Sequence, residues 1–173
     1  TLNIVAVQER DTWAQEGWKH GDDPDNLRAA FADTCPQLRD ILGQVRETYL
    51  WGLFRHPVLK QWHNDRLVIL GDAAHPTLPF LAQGANLAIE DAYVLARCCD
   101  EADDLATALA RFQHQRAARV SRAIAAANAN ARNYHLSGLT RSLAHTGLKT
   151  LGFVASNAFL KRLDWLYGFD ATK

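Results

Sequence analysis

The residues best able to do chemistry lie between Leu67 and Asp91. The apolar run Leu67–Leu70 shows no alternation, which is typical of a strand buried on both faces of a parallel sheet. Gly71 ends the run and permits a close backbone approach or an unusual dihedral angle. Asp72 follows at the predicted carboxyl end of the strand, where open α/β sheets bind ligands. A carboxylate at this place is a strong acceptor for ligand hydroxyl groups.

A stiff loop and a helix start complete this segment. Pro76 and Pro79 restrict the loop and remove two N–H donors. The string Gln83-Gly84-Ala85-Asn86 opens a predicted helix, whose first-turn N–H groups can bind an anion or an electron-rich carbonyl. Together these features predict a site for an elongated ligand that has hydroxyl groups in one part and an electron-rich ring in another. For Asp72 alone, or Gly84 alone, an ordinary turn is the favoured alternative.

Helices dominate the predicted structure after this segment. The spacing of small and apolar residues predicts a helix from Gln83 to about Cys99 and a long helix from Leu105 to about Asn133. A further helical stretch is predicted over Leu139–Leu166, with Gly147 and Gly152 as breaks or close-packing points. The long helix has an apolar side with Leu109, Phe112, Val120, Ile124 and Ala127, and another side with Arg111, Arg116, Arg119 and Arg122.

The first third of the chain mixes strands and short helices. Strands are predicted over Leu2–Val7 and Thr48–Phe54, and Asp23-Pro24 and Thr34-Cys35-Pro36 each predict a helix start. Trp51 and Phe54 are expected to pack in the core rather than to line a pocket. The composition changes at Arg66, which indicates that the chain leaves one domain there and returns to another.

Composition excludes several classes of protein. The 173 residues are 48% hydrophobic and 22% charged, as in a folded globular chain. Nineteen basic residues balance nineteen acidic ones, which argues against nucleic acid and membrane surfaces as partners. No apolar run is long enough to span a bilayer and no signal peptide is visible. Because Met is absent and the chain opens on Thr1, we expect a piece of a longer protein.

The three cysteines, Cys35, Cys98 and Cys99, do not describe a disulfide framework or a zinc site. Buried, reduced thiols in a cytoplasmic protein are the favoured interpretation. The histidines show no metal-ligand spacing, so no metal site is predicted.

The central segment resembles the second flavin-contacting motif of the FAD-dependent aromatic hydroxylases, the single-component flavoprotein monooxygenases, in their salicylate hydroxylase-like branch. The matching residues are Gly71-Asp72-Ala73-Ala74-His75-Pro76, Pro79, Gln83-Gly84-Ala85-Asn86 and Ala88-Ile89-Glu90-Asp91-Ala92. Leu163–Asp170 also resembles the closing segment of that branch. The resemblance covers Arg66–Asp170 well and the first 65 residues more loosely.

The resemblance implies a role for each matching position. Asp72 would accept hydrogen bonds from the ribityl chain of FAD, and Gly71 would make room for that chain. Pro79 would line the loop beside the flavin ring. Gly84, Ala85 and Asn86 would present backbone N–H groups to the N1–C2 carbonyl edge of the isoalloxazine. In such enzymes NAD(P)H reduces the flavin, and the reduced flavin uses O2 to hydroxylate an aromatic ring.

The chain departs from the wider family in three ways. Ala82 stands where a broader form of the motif has Gly. No G-x-G-x-x-G follows a strand anywhere, and the Asp-Gly motif linked to NAD(P)H use is missing. Both missing motifs would lie upstream of Thr1, so we expect this chain to hold only the second half of a FAD site.

Three further predictions concern particular side chains. A structural hydrogen bond is favoured for His75 over a role in tuning flavin or substrate protonation. Phe80 and Pro79 are candidates for lining the substrate pocket. For Phe80, contact with the substrate and no contact are given equal weight. The arginines of the long helix are expected to form a solvated or ion-paired face rather than an anion site. No catalytic base is identified.

The predicted fold class is α+β or α/β, a fragment of the two-domain flavoprotein monooxygenase fold with a mainly helical C-terminal part. Residues 1–65 would end a substrate-binding domain, and residues 66–173 would belong to the FAD-binding domain. The predicted function is FAD-dependent hydroxylation of a hydroxybenzoate- or hydroxypyridine carboxylate-like substrate with NAD(P)H and O2. The missing N-terminal dinucleotide-binding portion is the expected partner, and the fragment alone is expected to be inactive. The alternatives are a non-catalytic helical interaction module with a relic flavin loop, or a related flavin epoxidase or decarboxylating oxygenase.

Overall fold

The computed structural model describes residues 2–8, 17, 19–134, 136, 138–154 and 161–173. For residues 151–154 it describes the backbone alone. The chain divides into two compact units, Thr1–Phe54 and Arg55–Lys173. Residues 55–65 belong to the second unit, where the Leu59 N–H donates to the Ala74 carbonyl and the Trp62 N–H to Gln113 Oε1. The structural division therefore comes before the composition change at Arg66.

The first unit contains two short strands and two short helices. Strands β1 (His20–Asp22) and β2 (Thr48–Leu50) pair antiparallel, with His20 opposite Leu50. Helix α1 (Pro24–Ala30) begins after Asp23, whose side chain accepts a hydrogen bond from the Asp25 N–H at 2.9 Å. Helix α2 (Pro36–Gly43) begins after Cys35 with Pro36 in its first turn. Both predicted helix starts are confirmed.

Three predictions for the first unit are wrong. Leu2–Val7 forms no strand, because a strand needs a neighbour for its N–H and C=O groups and no described residue pairs with this segment. The strand predicted over Thr48–Phe54 ends at Leu50, opposite His20, where its three-residue antiparallel partner β1 begins. Trp51 and Phe54 follow that end and are 38% and 39% exposed, so they do not pack in the core.

The second unit is built on two long helices packed against each other. They are α3 (Gly84–Glu101) and α4 (Leu105–Tyr134), and both were predicted from sequence spacing. The buried core joins Leu87, Val94 and Cys98 of α3 to Phe112 and Val120 of α4. Asp104 holds the start of α4 by accepting a hydrogen bond from the Thr107 N–H at 2.9 Å. Helix α5 (Gly138–Val154) and the short helix α6 (Asp164–Tyr167) follow.

The run Leu67–Leu70 is not a buried parallel strand, which corrects the prediction. Val68 forms a single antiparallel bridge with His63, and the Ile69 N–H donates to the Trp62 carbonyl at 2.8 Å. Asn64 turns the chain, because its side-chain oxygen accepts from the N–H groups of Arg66 and Leu67. The chain therefore folds back on its own preceding residues, and Leu67 is left 68% exposed.

Smaller corrections concern three further sets of residues. Helix α5 continues through Gly147 and Gly152, and an added Cβ at Gly147 would meet nothing within 4 Å, so neither glycine breaks the helix. The part of the predicted helix over 155–160 lies outside the described residues. Only Cys98 is a buried thiol. Cys99 is exposed because it is the next position around the helix, and Cys35 is exposed before α2. No helix in the described ranges is long and apolar enough to cross a bilayer.

Candidate functional site

Gly71 adopts a conformation that favours glycine and lies directly against α3. Its φ is 58°, in the left-handed region, and an added Cβ would come within 3.1 Å of the Ala88 Cβ. Its N–H donates to Asp91 Oδ2 at 3.0 Å. The predicted unusual dihedral angle is therefore present, and it turns the chain into the 3₁₀ segment Gly71–Ala73.

Asp72 lies in this 3₁₀ segment and is exposed. An added Cβ at Gly84 would lie 3.8 Å from Asp72 Oδ1 and 3.3 Å from Thr77 Cγ2. The absence of a side chain at Gly84 therefore leaves room between the carboxylate and the first turn of α3. The structure brings together the carboxylate and the helix start that the sequence predicts for one site.

The start of α3 is open to a ligand. Gln83 is buried at the N-cap position, and its side chain makes no capping hydrogen bond. The N–H groups of Gly84, Ala85 and Asn86 belong to the first turn, where an α-helix offers its own N–H groups no carbonyl partner. Ala85 and Asn86 are exposed. This turn can therefore donate to an electron-rich carbonyl or an anion.

The loop before α3 forms a second 3₁₀ turn, Pro79–Leu81. Pro79 is exposed, and Phe80 is half-buried with its ring 5.2 Å from the ring of Tyr134. Ala82 closes the turn with a φ of 51°. The loop thus separates the Asp72 segment from α3 and presents Pro79 at its surface.

A shallow cleft of about 250 Å³ adjoins the start of α3. Gln83, Asn86 and Glu90 line one side, and the C-terminal residues Tyr167 and Phe169 line another. The C-terminal segment therefore lies close to the open helix start, although more than 80 residues separate Gln83 from Tyr167 along the chain.

A buried charged cluster lies behind the Gly71 turn, and its Asp91 received no role from the sequence. Asp91 Oδ2 lies 2.5 Å from His75 Nε2, and Asp91 Oδ1 accepts from Arg116 Nε at 2.7 Å. All three side chains are buried. Burial by itself raises the pKa of Asp91, but hydrogen bonds from His75, the Gly71 N–H and Arg116 outweigh it and hold the pKa below its ordinary value. The structural hydrogen bond expected for His75 is confirmed.

Three of the four arginines predicted to form a solvated or ion-paired face of α4 form ion pairs. Glu90 accepts from Arg116 Nη2 at 2.7 Å and from both Nε and Nη2 of Arg119, at 2.7 and 2.6 Å. Arg111 pairs with Glu101, and the Arg122 guanidinium lies 3.8 Å from the ring centroid of Trp165. Arg116 departs from the prediction, because it lies on the buried side of α4.

A sequence signal for this buried cluster does exist. Asp91 lies four residues after Leu87 and three before Val94, on the apolar face of α3. Arg116 lies midway between Phe112 and Val120 on the apolar face of α4. Opposite charges on the apolar faces of two packed helices predict a buried pair, because an unpaired charge there would be strongly destabilising.

Several known proteins are similar to this chain. The 3-amino-4-hydroxybenzoate 2-monooxygenase PtnB3 of Streptomyces platensis is 35% identical over 98% of this chain and 42% of its own length. The 3-hydroxybenzoate 6-hydroxylase 2 of Aquipseudomonas alcaligenes is 30% identical over 96% of this chain and 51% of its own length. The chain thus spans about half or less of the curated relatives it matches.

A solved structure and a family model agree with these relatives. The crystal structure of Klebsiella pneumoniae HpxO in complex with FAD and uric acid matches 81% of this chain and 37% of its own, with a TM-score of 0.63 and 25% identity. The resemblance to flavoprotein monooxygenases that the motifs indicate is confirmed. The model of the FAD binding domain family matches residues 8–127, well over half of the chain, and the protein therefore belongs to that family.

Proposed function

We propose that this chain is the C-terminal part of a FAD-dependent monooxygenase and supplies the half of the cofactor site that contacts the flavin ring and ribityl chain. The observation that carries the proposal is the position of the Asp72 carboxylate beside the open first turn of α3, separated from it only by the side-chain-free Gly84. The curated relatives, which are aromatic monooxygenases, support it.

The residues present fit FAD. The ribityl chain offers hydroxyl donors, and Asp72 is an exposed carboxylate that can accept them. The pyrimidine edge of the flavin ring offers carbonyl acceptors, and the N–H groups of Gly84, Ala85 and Asn86 can donate to them. The room at Gly84 that a Cβ would fill lies between these two groups.

Each site residue then has a distinct role. Asp72 would hold the ribityl chain, and Gly71, whose missing side chain leaves room for Ala88, would let the turn that carries Asp72 lie against α3. The first turn of α3 orients the ring edge and favours negative charge there, since a helix N-terminus carries a partial positive charge. Pro79 would line the loop beside the ring, and Phe80, like Pro79, would be a candidate for lining the substrate pocket. When bound, FAD supplies the redox chemistry, with NAD(P)H as reductant and O2 as oxidant.

The domain assignment is part of the proposal. Residues 1–65 would complete a substrate-binding domain, with residues 55–65, which pack in the second unit, leading into the FAD-binding domain of residues 66–173. An N-terminal dinucleotide-binding portion would hold the adenosine end of FAD, as the partial coverage of the relatives supports. The cytoplasm is our prediction for its location, supported by the exposed free thiols of Cys35 and Cys99.

The Asp72→Ala variant of the full-length protein tests the cofactor assignment. Loss of a charged hydrogen-bond acceptor predicts FAD binding at least about tenfold weaker, with substrate affinity of the FAD-saturated enzyme little changed. Flavin titration and substrate titration measure the two effects. Asp100→Ala removes another exposed aspartate, on the far end of α3, and is expected to bind FAD like the wild type. Unchanged FAD affinity in Asp72→Ala would refute the assignment.

A substrate screen tests the reaction. We expect a hydroxybenzoate, an aminohydroxybenzoate or a hydroxypyridine carboxylate to stimulate NAD(P)H consumption by the FAD-loaded full-length protein and to yield a hydroxylated product. The 6-hydroxynicotinate 3-monooxygenase of Pseudomonas fluorescens, 39% identical over 57% of this chain and 26% of its own length, supports the last of these classes. An epoxidised product, or a substrate decarboxylated without hydroxylation, would favour the related oxygenases instead.

A further inference from the structure

The loop Pro79–Ala82 holds a conformation that its own sequence disfavours. Ala82 has φ 51° and ψ 35°, and it is the one non-glycine residue with positive φ in the part of the chain that the structure describes. For a residue with a Cβ, this left-handed conformation is strained. Such a conformation persists only where surrounding contacts hold it, and these positions cluster at ligand sites.

Two side chains from distant parts of the chain hold the loop. Asn130, near the end of α4, donates from Nδ2 to the Phe80 carbonyl at 3.0 Å. Tyr167, at the end of α6, donates from its hydroxyl to the Leu81 carbonyl at 3.2 Å. Because the two carbonyls are consecutive, the two donors fix the orientation of the peptide planes that lead into Ala82.

Both donors are themselves held in place. Asn133 donates to Asn130 Oδ1 at 3.1 Å, which directs the amide nitrogen of Asn130 toward the loop. Tyr167 follows the buried Leu166. Arg119 donates to the carbonyls of Trp165 and Leu166 at 3.0 and 3.2 Å, and so fastens α6 to α4.

We propose that Asn130 and Tyr167 are positioning residues, which set the flavin ring against the start of α3 by holding the Pro79–Ala82 loop. This inference rests on the proposed function, in which the loop lies beside the ring. Ala82 is followed directly by Gln83 and Gly84, so a change in the peptide planes of the loop shifts both Phe80 and the N–H groups of the first turn. Tyr167 is 56% exposed, so loss of its hydroxyl leaves the buried core unchanged.

The variants Tyr167→Phe and Asn130→Ala test the proposal in the full-length protein. Each removes one donor to the loop. Tyr93→Phe and Asn128→Ala are the matched controls: Tyr93 is similarly exposed on α3, and Asn128 lies half-buried on α4 two residues before Asn130. Circular dichroism and thermal unfolding first establish that all four variants fold like the wild type.

Three measurements follow on the folded variants. We expect amide hydrogen exchange at Ala82, whose N–H donates to the Pro79 carbonyl, to increase about fivefold in Tyr167→Phe and Asn130→Ala, which matches the loss of one ordinary hydrogen bond. We also expect an altered visible spectrum of bound FAD and a larger fraction of NAD(P)H consumed without product. Both control variants are expected to match the wild type in all three.

The outcomes separate the inference from the function on which it rests. A wild-type protein that does not bind FAD overturns the proposed function, and this inference with it. A wild-type protein that binds FAD, with loop variants whose spectrum and product yield equal those of the controls, overturns the inference alone.

Discussion

At the scale of single residues, Asp91 links the candidate site to the buried core. It accepts hydrogen bonds from the Gly71 N–H, His75 and Arg116. Its carboxylate therefore fixes both the backbone turn that carries Asp72 and the side chain of His75, which follows that turn. A buried charge of this kind is stable only with all its partners in place.

We expect Asp91→Asn to lower the free energy of unfolding by about 3 kcal/mol at pH 7, since it leaves the buried guanidinium of Arg116 less compensated. The pKa of Asp91 is depressed in the folded protein. Its stabilising effect is therefore complete above the ordinary pKa of an aspartate and is lost as the pH falls through the lower, folded value. Urea unfolding of wild type and variant between pH 7 and pH 3 measures this, and a difference that stays constant over that range would contradict it.

Gly71 permits a matched test of backbone and packing. Gly71→Ala introduces a Cβ at positive φ and within 3.1 Å of Ala88, whereas Gly138→Ala does so at a φ of 55° with nothing within 4 Å. In both variants the free energy of unfolding should fall by about 1 kcal/mol because of the dihedral angle alone. In Gly71→Ala it should fall further because of the contact with Ala88. Equal losses in urea unfolding would show that the close approach of Gly71 to α3 is not energetically important.

At the scale of elements, Arg119 attaches the C-terminal segment to α4. Its guanidinium pairs with both oxygens of Glu90, donates to two carbonyls of the segment and lies 3.6 Å from the ring centroid of Phe169. Lysine can reproduce the charge but not the planar fork or the stacking. Helix α6, which carries Tyr167, has only four residues and so few hydrogen bonds of its own. Its position therefore depends mainly on Arg119 of α4.

We expect Arg119→Lys to lower the free energy of unfolding by about 2 kcal/mol, the scale of a charged hydrogen bond, and to speed proteolytic cleavage near residues 163–171. Arg132→Lys, an exposed position on the same helix, is the control and is expected to resemble the wild type. If both variants are cleaved at the wild-type rate, Arg119 does not attach the segment.

At the scale of the whole molecule, the proposed function makes this chain one part of a larger site. The chain spans 42% of a relative that it matches over nearly its full length, and its site residues would contact only the ring and ribityl regions of the proposed cofactor. The remaining contacts to FAD would come from another part of the protein.

The purified 173-residue chain is therefore expected to be nearly colourless and to show no NAD(P)H oxidation. Addition of FAD followed by gel filtration and an absorption spectrum measures this directly. The full-length protein, treated in the same way, serves as the positive control. A stoichiometric flavin spectrum from the 173-residue chain would show that it holds a complete site.

The sequence by itself determined the two long helices, the starts of the two short ones and the unusual dihedral angle at Gly71. Apolar spacing near 3.6 residues predicted α3 and α4, and Asp-Pro and Cys-Pro marked the starts of α1 and α2. The positive φ of Gly71 could be expected because glycine has no Cβ. Such features depend on residues a few positions apart, so they can be recognised without knowledge of the fold.

Tertiary structure alone decided which distant residues meet. Leu67–Leu70 is as apolar as a parallel strand, but within the described residues Val68 forms only a single antiparallel bridge, with His63. The contacts of Asp91 with Arg116, and of Tyr167 with Leu81, join residues 25 and 86 positions apart. Local pattern places Asp91 and Arg116 on apolar helix faces, but it does not say which residues meet, because each contact depends on how α3 and α4 pack and on where the C-terminal segment crosses them.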